Sequence, residues 1–241
     1  MSHVVGYHRP ASVEEALAAL AAPGTPKLII AGGTTVNADP NPDPVEVVDL
    51  QALRLGGIGT DGDRLRVGAT TTLESLATDE RTPTMLAKLT RREAPSTLRA
   101  MGTVGGLVVV ADPESELLAG LLVHEATVTI VDSSGSTDHD LAAVLANGPG
   151  AGIITAVTFD RTGTTAAART GRTPGDRPIV AAVARKKTDG TVLTALCGVA
   201  GTPVLVDDPG GLEPPGDFRG STTYRRHIAQ VLAGRVRKQV S

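Results

Sequence analysis

Apolar and polar positions alternate along this chain in short blocks, and a turn signal closes nearly every block. Ser12 precedes Glu14 and Glu15, and Ala16, Leu17 and Leu20 follow at helical spacing, so a capped helix ending at Pro23-Gly24 is expected. Leu28 to Ala31 and Val45 to Leu50 are apolar runs of strand length and predict buried strands, giving the opening a β-α-β character. Asn37 to Pro44, between them, is a loop of Asp, Asn and Pro. Asp61-Gly62-Asp63, between Ile58 and the run Arg64–Gly68, is the strongest hairpin signal in the sequence. Helices are expected from Thr72, over Thr82–Arg92 up to Pro95, and from Pro113 to about Val123; the apolar run Leu107–Ala111 lies between the last two. Ala126–Val131 and Gly152–Asp160 predict strands around the turn Asp132-Ser-Ser-Gly135. Arg161 to Asp176 is poor in apolar residues and predicts a connection to a last unit. That unit has strands Ile179–Ala184 and Val192–Val199 split by Thr188-Asp-Gly190, a loop from Pro203 to Asp217 and a closing helix Tyr224–Gly234. The units so outlined are 1–55, 56–165 and 166–241.

Two glycine pairs carry the candidate chemistry. The first is Ala31-Gly-Gly-Thr-Thr-Val36, directly after an apolar run; the second is Gly102-Thr-Val-Gly-Gly-Leu107. A glycine pair lets backbone N–H groups turn outward and approach an anion closely, because no Cβ blocks the way. Hydroxyls beside it can complete the shell around a phosphate, and two such loops can hold the two halves of a pyrophosphate. Neither is a Walker loop or a G-x-G-x-x-G fingerprint, and a glycine pair after a strand is also an ordinary turn.

Composition narrows the classes. A chain of 241 residues can bury a substantial core, and its net charge of −3 and pI near 6.0 carry no nucleic-acid signature. Cys197 is the one cysteine, so this chain alone makes no internal disulfide and no cysteine-ligated iron–sulfur cluster. No signal-peptide pattern opens the sequence and no apolar run reaches bilayer length, so a cytoplasmic protein without membrane or nucleic-acid partners is expected. With two Tyr, two Phe and no Trp, few rings are available to cover a planar cofactor. His124 is expected at the surface and His139 in an acidic loop; neither predicts a metal site. Arg225, Arg226, His227, Arg235, Arg237 and Lys238 are expected to form a solvated helix face.

The order Tyr7-His-Arg-Pro-Ala-Ser-Val-Glu-Glu-Ala16, Ala31-Gly-Gly-Thr-Thr, Arg99-Ala-Met-Gly-Thr-Val-Gly-Gly, then Ala111-Asp-Pro-Glu-Ser-Glu resembles the FAD-binding medium subunit of the molybdenum hydroxylases, the family of carbon monoxide and xanthine dehydrogenases. The resemblance runs from about Tyr7 to Ile154. It implies an α+β chain: a PCMH-type FAD-binding fold of two α/β subdomains followed by a small α+β C-terminal domain. It places FAD against Ala31, Gly32, Gly33, Thr34, Thr35 and Val36 in the first segment and Thr103, Val104, Gly105 and Gly106 in the second. It puts Glu116 toward the ribityl or adenosine part of the cofactor and Ile154 against the adenine. It further implies a molybdopterin-binding large subunit and a [2Fe–2S] small subunit as partners, with electrons passing through FAD to NAD, a quinone or oxygen. No residue of this chain is assigned a catalytic role. The sequence departs from the family pattern at Leu107 and Ala100, where asparagine is usual, in the polar Asn37–Pro44 loop, and at Gly175-Asp-Arg-Pro178, where the family carries an aromatic cover. Arg177 can stack on a flavin ring or remain a loop charge, Arg169 is expected as a loop charge, and Asp112 is a candidate helix cap. A stand-alone flavoenzyme and a FAD-fold scaffold without redox function are the competing readings.

Overall fold

The computed structural model describes residues 3–35, 43–173 and 176–241; Val36, most of the Asn37–Pro44 loop and Gly175 lie outside the described residues. Three sheets follow one another along the chain. The first is parallel, with β1 (His3–His8), β2 (Lys27–Ile30) and β3 (Pro44–Asp49) in the order β1-β3-β2. Helix α1 (Val13–Ala21) crosses between β1 and β2, and the Ser12 hydroxyl caps it by accepting from the Glu15 N–H at 3.2 Å. Only β3 is the buried strand that was expected. β2 is an edge strand: Ile29 is 39% exposed, and its neighbours are half-buried. An apolar run therefore marks here the wall of an opening as well as a core.

The second sheet is antiparallel and holds β4 (Ile58–Asp61), β5 (Arg64–Gly68), β6 (Thr127–Asp132), β7 (Gly135–Asp140) and β8 (Ile153–Asp160), in the order β4-β5-β8-β6-β7. The hairpin at Asp61-Gly62-Asp63 is present, with Gly62 in the left-handed region at φ 55°. β6 and β8 pair as expected, yet the turn after Asp132 leads first into β7 and then helix α7 (Leu141–Asn147). β7 is exposed along its whole length and has no core face for a sequence pattern to reveal. Helices α2 (Leu73–Thr78), α3 (Thr84–Glu93), α4 (Ser96–Arg99), α5 (Val104–Val110) and α6 (Glu116–Val123) fill the span between β5 and β6. Every residue of α6 is buried, and its Gly120 packs against Leu86 and Leu89 of α3.

The third sheet, β12-β11-β10-β9, comprises β9 (Thr164–Thr170), β10 (Val180–Lys186), β11 (Val192–Cys197) and the short β12 (Val204–Leu205). β9 occupies the stretch expected as a connection. It is an edge strand of Thr and Ala whose small side chains, Ala166 among them, pack beneath helix α8 (Thr222–Val240). α8 runs past Gly234 because Ala229, Leu232, Ala233, Val236 and Val240 continue one apolar stripe. Its basic residues are not all solvated. Arg225 is buried, donating from Nη1 to the carbonyls of Ile179 and Gly198 and from Nη2 to Asp217, while Arg237 donates to Thr194, Val206 and Asp207. Among the described residues no helix is long and apolar enough to cross a membrane.

Candidate functional site

Where the first two sheets meet, a cavity of about 770 Å³ opens to solvent. Its apolar wall comes from Leu17 and Leu20 of α1, Leu28 to Ile30 of β2, and Val109 and Val110 of α5. Nine of the expected site residues line it: Ala31, Gly32, Gly33, Thr34, Thr35, Thr103, Gly105, Gly106 and Ile154. The two glycine segments are in direct contact. A Cβ on Gly32 would lie 1.9 Å from the Met101 carbonyl oxygen, so only glycine lets the first loop pack on the backbone of the second.

The two loops present different chemistry. In the first, Gly33 has φ 70°, and the backbone N–H groups of Gly32 to Thr35 make no hydrogen bond among the described residues. They are available to an anion. The second was expected to offer outward N–H groups as well, but it opens helix α5 and its donors turn inward. Val104 N–H donates to the Thr71 carbonyl, Gly105 N–H to the Ala69 carbonyl, and Gly106 N–H to the Thr103 hydroxyl. Gly105 lies so close to Ala69 that a Cβ would meet the Ala69 Cβ at 2.9 Å, whereas a Cβ on Gly106 would meet only Thr103 Oγ1, at 3.1 Å. This segment therefore contributes a smooth surface next to the donors of the first.

Val104 and Glu116 lie away from the cavity. Val104 is a core residue, and Glu116 is buried between Arg92 at 3.4 Å and Arg169 at 2.9 Å. Arg169 is accordingly a paired strand residue rather than a loop charge. Asp112 does not cap α6; that role belongs to Ser115, whose hydroxyl accepts from Leu118 N–H, while Asp112 Oδ1 accepts from Glu114 N–H in the preceding turn. Leu107 is 9% exposed, lines the cavity and packs in the core.

A polar corner at the C-terminal end of α5 completes the site. Asp112, Arg177 and Glu93 all line the cavity there, with Arg177 at 2.8 Å from Asp112 and 3.4 Å from Glu114. The Ser115 hydroxyl donates to Glu93 at 2.9 Å. Burial pushes the Glu93 carboxyl above its ordinary range, although the Ser115 hydrogen bond and Arg177 act the other way. Glu93 gave no signal in the sequence, because a carboxylate ending an amphipathic helix looks like any solvated helix terminus.

Among the described residues no histidine lines the cavity. His139 is exposed on β7, and among the described residues no group of three His, Cys, Asp or Glu is placed to hold a metal. His124, expected at the surface, is buried: its Nδ1 is 2.6 Å from the Asp160 carbonyl and its Nε2 2.9 Å from the Thr165 hydroxyl. Cys197 is buried in β11, and burial raises its thiol well above the ordinary value.

Known proteins share this fold. Cu,Mo-CO dehydrogenase in its cyanide-inactivated form contains a chain that superposes with a TM-score of 0.86 at 22% identity, covering 100% of this chain and 98% of that one. A chain of quinoline 2-oxidoreductase from Pseudomonas putida 86 gives 0.85 at 23% identity, covering 98% and 96%. These likenesses establish the α+β, PCMH-type fold. The protein YgfM of Escherichia coli (strain K12), described as uncharacterized, is 28% identical over 244 residues, which span 94% of this chain and 92% of that protein. The sequence pattern described as the FAD binding domain in molybdopterin dehydrogenase matches residues 3–159, both glycine segments and the cavity wall included. The chain belongs to this family of FAD-binding domains.

Proposed function

We propose that this protein is the FAD-carrying electron-transfer subunit of a molybdenum-hydroxylase-like assembly. The observation that carries the reading is the pairing of the free N–H groups of Gly32 to Thr35 with a long apolar wall. A pyrophosphate needs close backbone donors, and the two ring systems of a dinucleotide need apolar surface on either side of it. The residues fit such a group. Gly32 to Thr35 would hold the phosphates, Gly106 and Thr103 would bound them, and Ile154 would pack on the adenine. Bound flavin supplies the redox chemistry, and the chain's part is to bind, orient and exclude water. One cysteine cannot ligate a [2Fe–2S] cluster, so cluster and molybdenum chemistry belong to the partner subunits that this reading requires. NAD, a quinone or oxygen is the class of terminal acceptor.

A second reading, a FAD-fold scaffold, draws on Leu107, whose side chain belongs to the core cluster where the family has a polar residue. One experiment separates the two. Protein purified at native levels is expected to be yellow, to release FAD into the supernatant on acid precipitation, and to bring a molybdopterin subunit and an iron–sulfur subunit with it. A colourless protein that takes up no added FAD overturns the first reading and leaves the second.

A further inference from the structure

Phosphate binding does not explain the polar corner at the C-terminal end of α5. The glycines that face the phosphates are at the other end of this seven-residue helix, a separation of about 10 Å at 1.5 Å per residue. That is about the span from a pyrophosphate, across a ribityl chain, to the near edge of a flavin ring, and Val109 and Val110 form the apolar surface beside the corner.

Glu93 differs from the other carboxylates around it. Arg177 pairs with Asp112 and Glu114, Arg219 with Glu114, Arg92 and Arg169 with Glu116, and Arg99 with Glu74. Each of these cations is thus engaged by another carboxylate. Glu93 makes no ion pair of its own; its donors are the neutral Ser115 hydroxyl and, more weakly, the Leu117 backbone N–H. Beside it stand the Arg177 guanidinium, which favours the ionised form, Asp112, a like charge, and the buried Cys197 thiol of β11. Burial, with Asp112 beside it, outweighs the Ser115 donor and Arg177 and shifts this carboxyl toward its protonated form. A protonated carboxyl can donate a hydrogen bond, and Glu93 lines the cavity.

We propose that Glu93 is a specificity-determining residue of the cavity, a protonated carboxyl that donates a hydrogen bond to a heteroatom of the bound flavin ring. The proposal rests on the FAD reading above. It makes ring binding proton-linked: the donor is lost, and a negative charge appears against the ring, when Glu93 ionises. Glu93→Gln keeps the size and an N–H donor but cannot ionise.

The test is a titration with FAD, FMN and ADP from about pH 5 to 9, read by flavin fluorescence or, for ADP, by calorimetry, with folding checked by circular dichroism. For the native protein, FAD and FMN affinities are expected to be constant at low pH. Above a break they weaken by about tenfold per pH unit, the slope for one proton. ADP, which has the phosphates but no ring, shows no such break. E93Q is expected to bind FAD as tightly as the native protein at low pH and to remain flat. Ser115→Ala, which removes a donor that favours the ionised form, moves the break to higher pH and serves as the second variant where E93Q does not fold. An unchanged break in E93Q, a break shared by ADP, or the absence of any break in the native protein overturns the assignment of Glu93 while leaving FAD binding intact. Failure to bind FAD at any pH overturns the cofactor reading itself.

Discussion

His124 shows what burial does to a residue that a sequence presents as a surface histidine. Its Nδ1–H donates to the Asp160 carbonyl and its Nε2 accepts from Thr165, so both ring nitrogens are satisfied by the neutral form. Burial is the chief reason that its pKa falls to about 4, with the Arg185 guanidinium adding to the effect and the Asp160 carbonyl opposing it. The unfolded chain titrates this group near 6.5 and therefore binds more protons than the folded one between about pH 4 and 6.5. Stability is accordingly full above the unfolded value and is lost as pH falls through that window, by about 3 kcal/mol from this group. Asp160 acts lower: burial alone would raise its carboxyl, and the Thr162 donors with Arg185 reverse this to about 2, so its contribution fades only below pH 4. Urea unfolding of His124→Gln at several pH values is expected to show a flatter dependence between pH 4 and 6.5 than the native protein; an identical slope refutes the assignment. Neither this histidine nor the fully buried Arg185, which reaches the Val123 and Thr162 carbonyls and Glu125, was legible in the sequence. A charge in a strand of small residues gives no sign of whether a helix end and a loop supply it with carbonyls.

Among the elements, the two glycine segments separate packing from binding. Gly32→Ala would drive a Cβ into the Met101 carbonyl, forcing the two loops apart at a cost of about 1–3 kcal/mol, typical of overpacking. Gly106→Ala meets one hydroxyl, that of Thr103, and faces the cavity. The first variant is expected to lower both the melting temperature and FAD uptake, the second to weaken FAD while leaving the melting temperature of the apoprotein within about a degree. Equal effects on melting would show that both glycines serve packing alone. The glycine segments, the Ser12 cap, the Asp61 hairpin and the β10–β11 pair were legible because each rests on local chemistry that a few adjacent residues specify. β7 and β9 were not, since β7 has no buried face and β9 offers the core only alanines among its threonines, and both are held by the ladders of β6 and β10. α7 has Leu141, Val144 and Leu145 at helical spacing, but it is one turn too short to stand out from the glycine-rich flank that follows. Part of the site was legible on the same terms: the loops were specified locally, while the β2 wall and the Glu93 corner depend on segments far apart in sequence that line one cavity.

At the scale of the molecule, α6 joins the second and third sheets. Its Leu117, Leu118, Leu121 and Leu122 share one core cluster with Leu65 and Val157 of the second sheet and with Ala181, Val183, Ala195 and Cys197 of the third. Glu114, just before it, holds Arg177 and Arg219 of the C-terminal part. The cavity is walled by the first sheet, by α5 and by the start of β8, and Arg177, between β9 and β10, closes its corner. A ligand that fills it touches segments from every part of the chain, so binding is linked to the unfolding of the whole. Free FAD at a hundred times its dissociation constant stabilises the folded form by about 2.7 kcal/mol. For a chain of this size that corresponds to a rise in melting temperature of about 5–10 °C. ADP and FMN, each filling one end of the cavity, are expected to give smaller rises at the same concentration, because neither spans from Ile154 past Gly32 to Arg177. Differential scanning calorimetry should record one transition that moves as a unit with FAD. Two transitions of which only one responds would show that the C-terminal sheet does not close the site, and equal shifts for ADP and FAD would show that the Glu93–Arg177 corner contributes nothing to holding the cofactor.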